Sequence, residues 1–286
     1  MKPRAALVAL SLVAVIGLAL GAQSVPASTA GYTARVTNST NTAATSAYLT
    51  CAAATNATAE RAAAIFVFPL NENTVSALLG ANDQSGHANG SYRGAVTTNT
   101  TAPLACPRDA GGAWVLNGTS NYVQSPTQLV NPTTFSAEVW FKTSVASGKL
   151  IGFGNGTPLI ASTSSQFDRH IYLSTTGQLI FGTYNGGTQV ITSPLSYTDN
   201  VWHHVVATMS PSAGMILYVD GLQVIAGPTF KTPENTTGYW RAGYDNLGGW
   251  PSAGSNAYFT GQLRWAAAYS IALTPAQVMT HYLAGK

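Results

Sequence analysis

Residues 201–226, VWHHVVATMSPSAGMILYVDGLQVIA, constrain the fold more than any other stretch of the chain. From His203 to Met209 the residues alternate between two faces, and Met215–Val219 and Leu222–Ala226 do so again. Alternation is the mark of strands with one buried face. Asp220-Gly221 separates the last two runs, and an Asp-Gly pair in that place is a strong short-range hairpin signal. The chain is therefore read as antiparallel β-structure whose register is pinned by turn chemistry.

The same pattern recurs along residues 62–284. Phe135, Ala137, Val139 and Phe141 share one face of a predicted strand over 135–142, and Ser136, Glu138, Trp140 and Lys142 share the other. Strands are also predicted over 65–70, 114–116, 122–124, 149–153, 170–173, 179–183, 239–242 and 259–269. Asn82–Gly90 and Thr176-Gly177 read as turns between them. One helix is predicted at the end. Thr274-Pro275-Ala276-Gln277 joins an N-cap Thr, a Pro at the first helical position and a Gln three residues after the cap. Val278, Met279, Tyr282 and Leu283 give it an apolar stripe, with Gly285 placed to stop it. The fold class that follows is all-β: a two-sheet antiparallel jelly-roll sandwich with one short C-terminal helix.

Lys2, Arg4 and the apolar run Ala5–Leu20, followed by small residues up to Ala30, have the order of a secretory signal over residues 1–30. An uncleaved membrane anchor is the alternative. Residues 31–61, rich in Thr, Ala and Asn, read as an extended arm, and residues 62–284 as one domain. Two cysteines in an exported chain predict a disulfide between Cys51 and Cys106, two free buried thiols being the alternative. Charged residues make up 8% of the chain, against roughly 25% in ordinary soluble proteins. The formal charge of +3 includes Lys2 and Arg4, and no basic cluster exists. This speaks against a nucleic-acid partner.

The motifs Phe68-Pro69-Leu70-Asn71-Glu72, Asp83–His87, Val115–Gly118 with Tyr122-Val123, Phe135–Trp140, Val201–Val205, Leu217–Gly221 and Phe259–Leu263 occur in one order. In this they resemble the laminin-G-like branch of the concanavalin-A-like lectin and glucanase jelly rolls. The resemblance implies an extracellular binding module, often for sugars or other surface ligands, sometimes with a calcium ion. Many relatives have an acidic residue where this chain has Arg264, which weakens a calcium site drawing on that strand. No cofactor is predicted. The first thirty to fifty residues resemble the starts of secreted bacterial surface and matrix-fibre proteins, and the chain is expected outside the cell or at the cell surface. The very low charge and the Thr/Asn-rich arm make a structural or adhesive protein without a small ligand the second reading.

A glycoside hydrolase is the third reading. Retaining glucanases of this fold carry carboxylates two residues apart on one strand. The ten acids of this chain are never closer than eleven residues, so that motif is absent, although carboxylates from separate strands could converge. His203 and His204 point to opposite faces and cannot share one metal ion. One is expected to be packed and the other to lie on the outer face, and the spacing of the acids suggests no carboxylate partner for either. Asp83, with Asn82, Ser85 and Asn89, is read as turn chemistry, a calcium loop being the alternative.

The best binding candidate is the loop after Ala242. Tyr244 and Trp250 stand among Gly, Ser and Pro with Asp245 and Asn246 beside them. Aromatic faces stack on the apolar faces of a sugar while Asp and Asn pair with its hydroxyls. The predicted ligand residues are Tyr244, Asp245, Asn246 and Trp250, for a carbohydrate or cell-surface ligand. The alternative is that these aromatics fold down over the sandwich edge.

Overall fold

Alternation along the chain produces two eight-stranded antiparallel sheets packed face to face. The computed structural model describes residues 48–78, 80–158 and 162–286. The predicted signal segment and the first part of the arm, through residue 47, lie outside them. In the first sheet the order is β14 (Leu222–Gly227), β13 (Gly214–Val219), β12 (Trp202–Ser210), β7 (Phe135–Lys142), β16 (Thr260–Tyr269), β4 (Ala113–Asn117) and β3 (Thr97–Asn99), with β1 (Ala64–Phe68) also paired to β16. In the second it is β11 (Thr188–Ser196), β10 (Gln178–Tyr184), β9 (Phe167–Leu173), β8 (Lys149–Gly154), β15 (Thr237–Ala242), β5 (Tyr122–Gln124) and β2 (Ser91–Arg93), with β6 (Leu129–Val130) also paired to β15. This is the predicted jelly-roll sandwich.

β7 sits at the centre of the first sheet, paired to β12 and β16. Phe135, Ala137, Val139 and Phe141 enter the core between the sheets, where they meet Phe153, Phe181 and Trp240 of the second. Asp220 and Gly221 both have positive φ, 51° and 80°, which is what a two-residue type I′ hairpin needs. The β13–β14 hairpin thus forms where its turn chemistry places it.

The opposite face of β7 is also buried, because a helix covers it. α1 (Cys51–Thr55), α2 (Thr58–Ala63) and α3 (Thr74–Ala77) are short, and α4 (Pro275–Gly285) closes the chain. α4 begins with the predicted capping box: Thr274 accepts from the Gln277 N–H, and the Gln277 side chain accepts from the Thr274 N–H at 2.9 Å. Its buried face differs from the predicted stripe. Val278, His281, Ala284 and Gly285 are buried, while Leu283 is 42% exposed. Gly285 lies against the ring of Trp140, where a Cβ would collide.

The described part of the arm, expected to be extended through residue 61, instead carries the helices α1 and α2. Thr50 caps α1, and Asp109 accepts the N–H groups of Cys51 and Ala52 at 2.8 and 3.1 Å. Cys51 is bonded to Cys106, as predicted. The Cys106 segment is itself held by Arg264. This fully buried guanidinium donates to the carbonyl oxygens of Ala105, Cys106, Asp109, Ala110 and Gly111. Where the resemblance suggested an acid, the chain places a cation that organises a loop of carbonyls.

Candidate binding surface

The outer face of the second sheet carries polar residues under a loop. Val190, Gly182 and His170 lie in register across β11, β10 and β9. Gly182 leaves a hollow over the strand, and the Trp250 ring occupies it; a Cβ there would collide with that ring. Trp250 meets His170 edge-on, with ring centroids 4.0 Å apart, and Tyr172 at 6.4 Å. The loop is stitched down beside it. Tyr172 Oη donates to the Pro251 carbonyl at 2.7 Å, and Thr175 N–H donates to Ser252 at 3.0 Å. Trp250 is thus 7% exposed and belongs to a small apolar cluster with Tyr172, Ile180 and Leu247.

The other predicted ligand residues have separate places. Asp245 is fully buried. Its carboxylate accepts from Ser164 N–H and Oγ at 3.1 and 2.6 Å, and lies 3.3 Å from Arg241 Nη1. That side chain is spent on joining two loops. Asn246 donates to the Ser164 carbonyl at 3.3 Å and accepts from Gly248 N–H at 2.8 Å. Tyr244 stacks on Tyr258, ring centroids 3.6 Å apart and 8° from parallel. Among the four, Asn246 and Trp250 line one and the same cleft.

Two shallow clefts flank Trp250, and Gly248, Gly249 and Trp250 form a wall common to both. One, of about 310 Å³, is lined further by Ser165, Gln166, Phe167, Tyr184, Thr188 and Glu234. The other, of about 320 Å³, runs along Asn246, Leu247, Ala253, Gly254, Ser255 and Ala257. The first joins aromatic rings to hydroxyl, amide and carboxylate groups. Most of its members were not singled out from the sequence. Tyr184 and Thr188 face each other across the tip of the β10–β11 hairpin. The available signal was Asn185-Gly186-Gly187, three turn residues between them.

Charged groups lie beneath this surface. Burial pushes the Lys149 ammonium down to about 8, against the opposing pull of Asp245. His170, fully buried, is pushed well below its ordinary value by burial and by Lys149. Burial raises Asp168 to about 6 although it is paired with Arg169. Low dielectric disfavours each charged form.

The histidine–carboxylate pairings correct an expectation from the sequence. His203 Nδ1 lies 2.8 Å from Asp220 Oδ2, and its Nε2 3.1 Å from Asp199 Oδ1. His204 Nε2 lies 2.9 Å from Glu138 Oε1, and His281 Nδ1 2.9 Å from Glu138 Oε2. Both members of the His203-His204 pair therefore have carboxylate partners: Asp199 and Asp220 lie within seventeen residues of His203, whereas Glu138 comes to His204 from a strand 66 residues away. His204 points to the outer face but is buried there under α4. The Asp83 loop follows the turn reading: the Asp83 carboxylate accepts from the N–H groups of Val67, Ser85, His87 and Ala88 at 2.8–3.1 Å.

Comparison with known proteins adds a family. A family model described as the concanavalin A-like lectin/glucanases superfamily, of laminin G type, matches residues 117–279, more than half of the chain. No curated protein sequence matches. Among solved structures, the binding domain of a Paraclostridial mosquitocidal protein is similar at 14% identity and a TM-score of 0.54, over 78% of this chain and 52% of that one. A botulinum neurotoxin type C structure, whose cell entry depends on two ganglioside molecules, is similar at 14% identity and 0.53, over 78% and 51%. Domain 4 of an extracellular arabinanase from Geobacillus stearothermophilus, in complex with arabinotriose, gives 16% identity and 0.49, over 77% and 98%. The chain spans about half the length of the two toxin structures.

Proposed function

Because this chain belongs to the laminin-G-type family of the concanavalin A-like lectin/glucanases superfamily, we propose that it is an exported, non-catalytic module that binds a carbohydrate at the clefts beside Trp250. The observation that carries this is the first cleft, where Phe167, Tyr184 and Trp250 stand with Ser165, Gln166 and Thr188. Aromatic walls with a few placed polar groups are the general form of a small-ligand site and suit the mixed surface of a sugar. The ganglioside named for the neurotoxin structure is a glycan-bearing ligand of a protein with the same fold. Export is supported by the apolar N-terminal run and by the Cys51–Cys106 bridge.

The non-catalytic reading is supported by the acids. Glycosidases of the common type work with two carboxylates across the scissile bond. Glu234 is the only acid lining either cleft, among the described residues. Glu138, the strand acid singled out from the sequence, is 1% exposed and sealed between His204 and His281 under α4.

A glycan array with the full chain tests the proposal. Binding is expected, and it should fall in a Gln166→Ala/Tyr184→Ala double variant, because both side chains are exposed and their loss leaves the core intact. Silence across all glycans from a chain with an intact fold would remove the carbohydrate reading.

A further inference from the structure

Nine of the ten carboxylates in this chain are occupied by hydrogen bonds. Glu60, Glu72, Asp83, Asp109, Glu138, Asp168, Asp199, Asp220 and Asp245 each accept at least one. All ten lie in the described residues, and Glu234 alone among them has a carboxylate with no hydrogen-bond or ion-pair partner. Its backbone is nevertheless pinned on both sides. The Glu234 N–H donates to the Tyr184 carbonyl at 2.5 Å, and its own carbonyl accepts from Arg169 Nη2 at 2.5 Å. The protein thus holds this residue in place and leaves its carboxylate without a hydrogen bond, coupled only through space to the buried Asp168 and Arg169, in the cleft lined by Phe167, Tyr184 and Trp250.

A carboxylate beside aromatic rings is the chemistry that receives an organic ammonium. The faces of the rings attract the cation through their quadrupoles, and the carboxylate adds a charge-assisted hydrogen bond. The surrounding charges leave that role to Glu234. Asp168 and Arg169 form a buried pair and offset one another. Lys149 is fully buried, with its ammonium over the Phe167 ring at 5.5 Å, and does not line the cleft. An anionic ligand would meet Glu234 with no lining cation to offset it.

We propose that this cleft selects a sugar carrying a free protonated amine, its ammonium set against Glu234 and the rings of Phe167, Tyr184 and Trp250. The proposal rests on the reading of the clefts as a sugar site, and the source of the amine is committed to the sugar.

Calorimetric titration of the full chain tests this with glucosamine oligomers, N-acetylglucosamine oligomers of equal length, and choline chloride. Glucosamine oligomers should bind. Acetylation of the amine, and separately Glu234→Gln, should each weaken binding about tenfold, the scale of a desolvated cation–aromatic and ion-pair contact. A Tyr184→Ala variant should also weaken it, and thermal melting of both variants reports that the fold persists. Equal binding of the acetylated oligomers, or binding indifferent to Glu234→Gln, overturns amine selection while leaving the sugar reading standing. Binding of choline with no sugar bound overturns the sugar source. No binding of any of the three overturns amine selection, and the glycan array then decides the sugar reading.

Discussion

Gly182 and Trp250 are a matched pair, the one without a side chain so that the ring of the other can sit on the sheet. The indole fills the space above Gly182 and ties the 244–258 loop to β9 through His170 and Tyr172. Gly182→Ala would force that ring up and strain the loop. Overpacking of this kind costs about 1–3 kcal/mol, to be read from urea unfolding, with a matching change in the near-ultraviolet circular dichroism of the tryptophan. Glu138 is the second residue on which much depends. Its two oxygens serve two imidazoles in a fully buried place. Glu138→Gln removes the charge and leaves one imidazole facing an amide N–H. Breaking a buried pair by removing one partner costs about 3 kcal/mol, measurable in the same unfolding experiment. Neither consequence was legible in the sequence. Alternation placed Glu138 and His204 on one face of their strands. That their strands are neighbours, and that α4 brings His281 above them, are facts of topology.

α4 and the strands beneath it form a junction whose strength depends on pH. Burial pushes Glu138 up, but the charge of His281 and the hydrogen bonds from both histidines outweigh it and carry the carboxyl from 4.5 to about 2. Burial also pushes His281 down, and Glu138, Glu60 and a backbone bond more than reverse this, so its value is raised. Glu60 and Gln277 close the same pocket with Tyr269, whose hydroxyl is pushed well above its ordinary value. A lowered carboxyl stabilises the fold above its unfolded value, and this is lost as pH falls toward 2. A raised histidine stabilises the fold below its unfolded value, and this is lost as pH rises through the folded one. Stability from this junction is therefore greatest between about pH 4.5 and 6.5. Urea midpoints near pH 3, 5.5 and 8.5 should peak at the middle value, and Glu138→Gln should flatten the profile. The elements themselves were unequally legible. β7 and α4 announce themselves through strict alternation and a complete capping box. β11 was missed because Thr188–Ser196 carries Pro194 and few apolar residues. An edge strand tolerates both, since one side of its ladder needs no partner. The buried side of α4 includes His281 and Gly285 and excludes Leu283, because its surface is fitted to Glu138 and Trp140 rather than to a purely apolar floor.

At the level of the whole molecule, the disulfide joins the start of the described chain to the loop that Arg264 organises, and so to α4. Cys106 N–H donates to the Gly285 carbonyl at 2.7 Å, so three distant segments meet at this point. A Cys51→Ser/Cys106→Ser variant is expected to lose about 4 kcal/mol by the loop-entropy account. Its denaturant midpoint should fall while the sheets remain, as read by far-ultraviolet circular dichroism. By itself the sequence determined the class of the fold, the hairpin at Asp220-Gly221, the central strand, the terminal helix and the pairing of the cysteines. These rest on local chemistry: a period of two, turn residues able to take positive φ, a cap within four residues, and the simple count of thiols. Only the tertiary structure decided which polar residues are consumed and which remain free. Asp245 and Trp250, chosen from the sequence, are largely occupied in building the loop, whereas Phe167, Tyr184 and Glu234 come together from three separate elements to line a cleft. The physical reason is that a side chain's availability depends on partners brought to it across the fold, and those are set by which strands become neighbours rather than by the residues beside it in the chain.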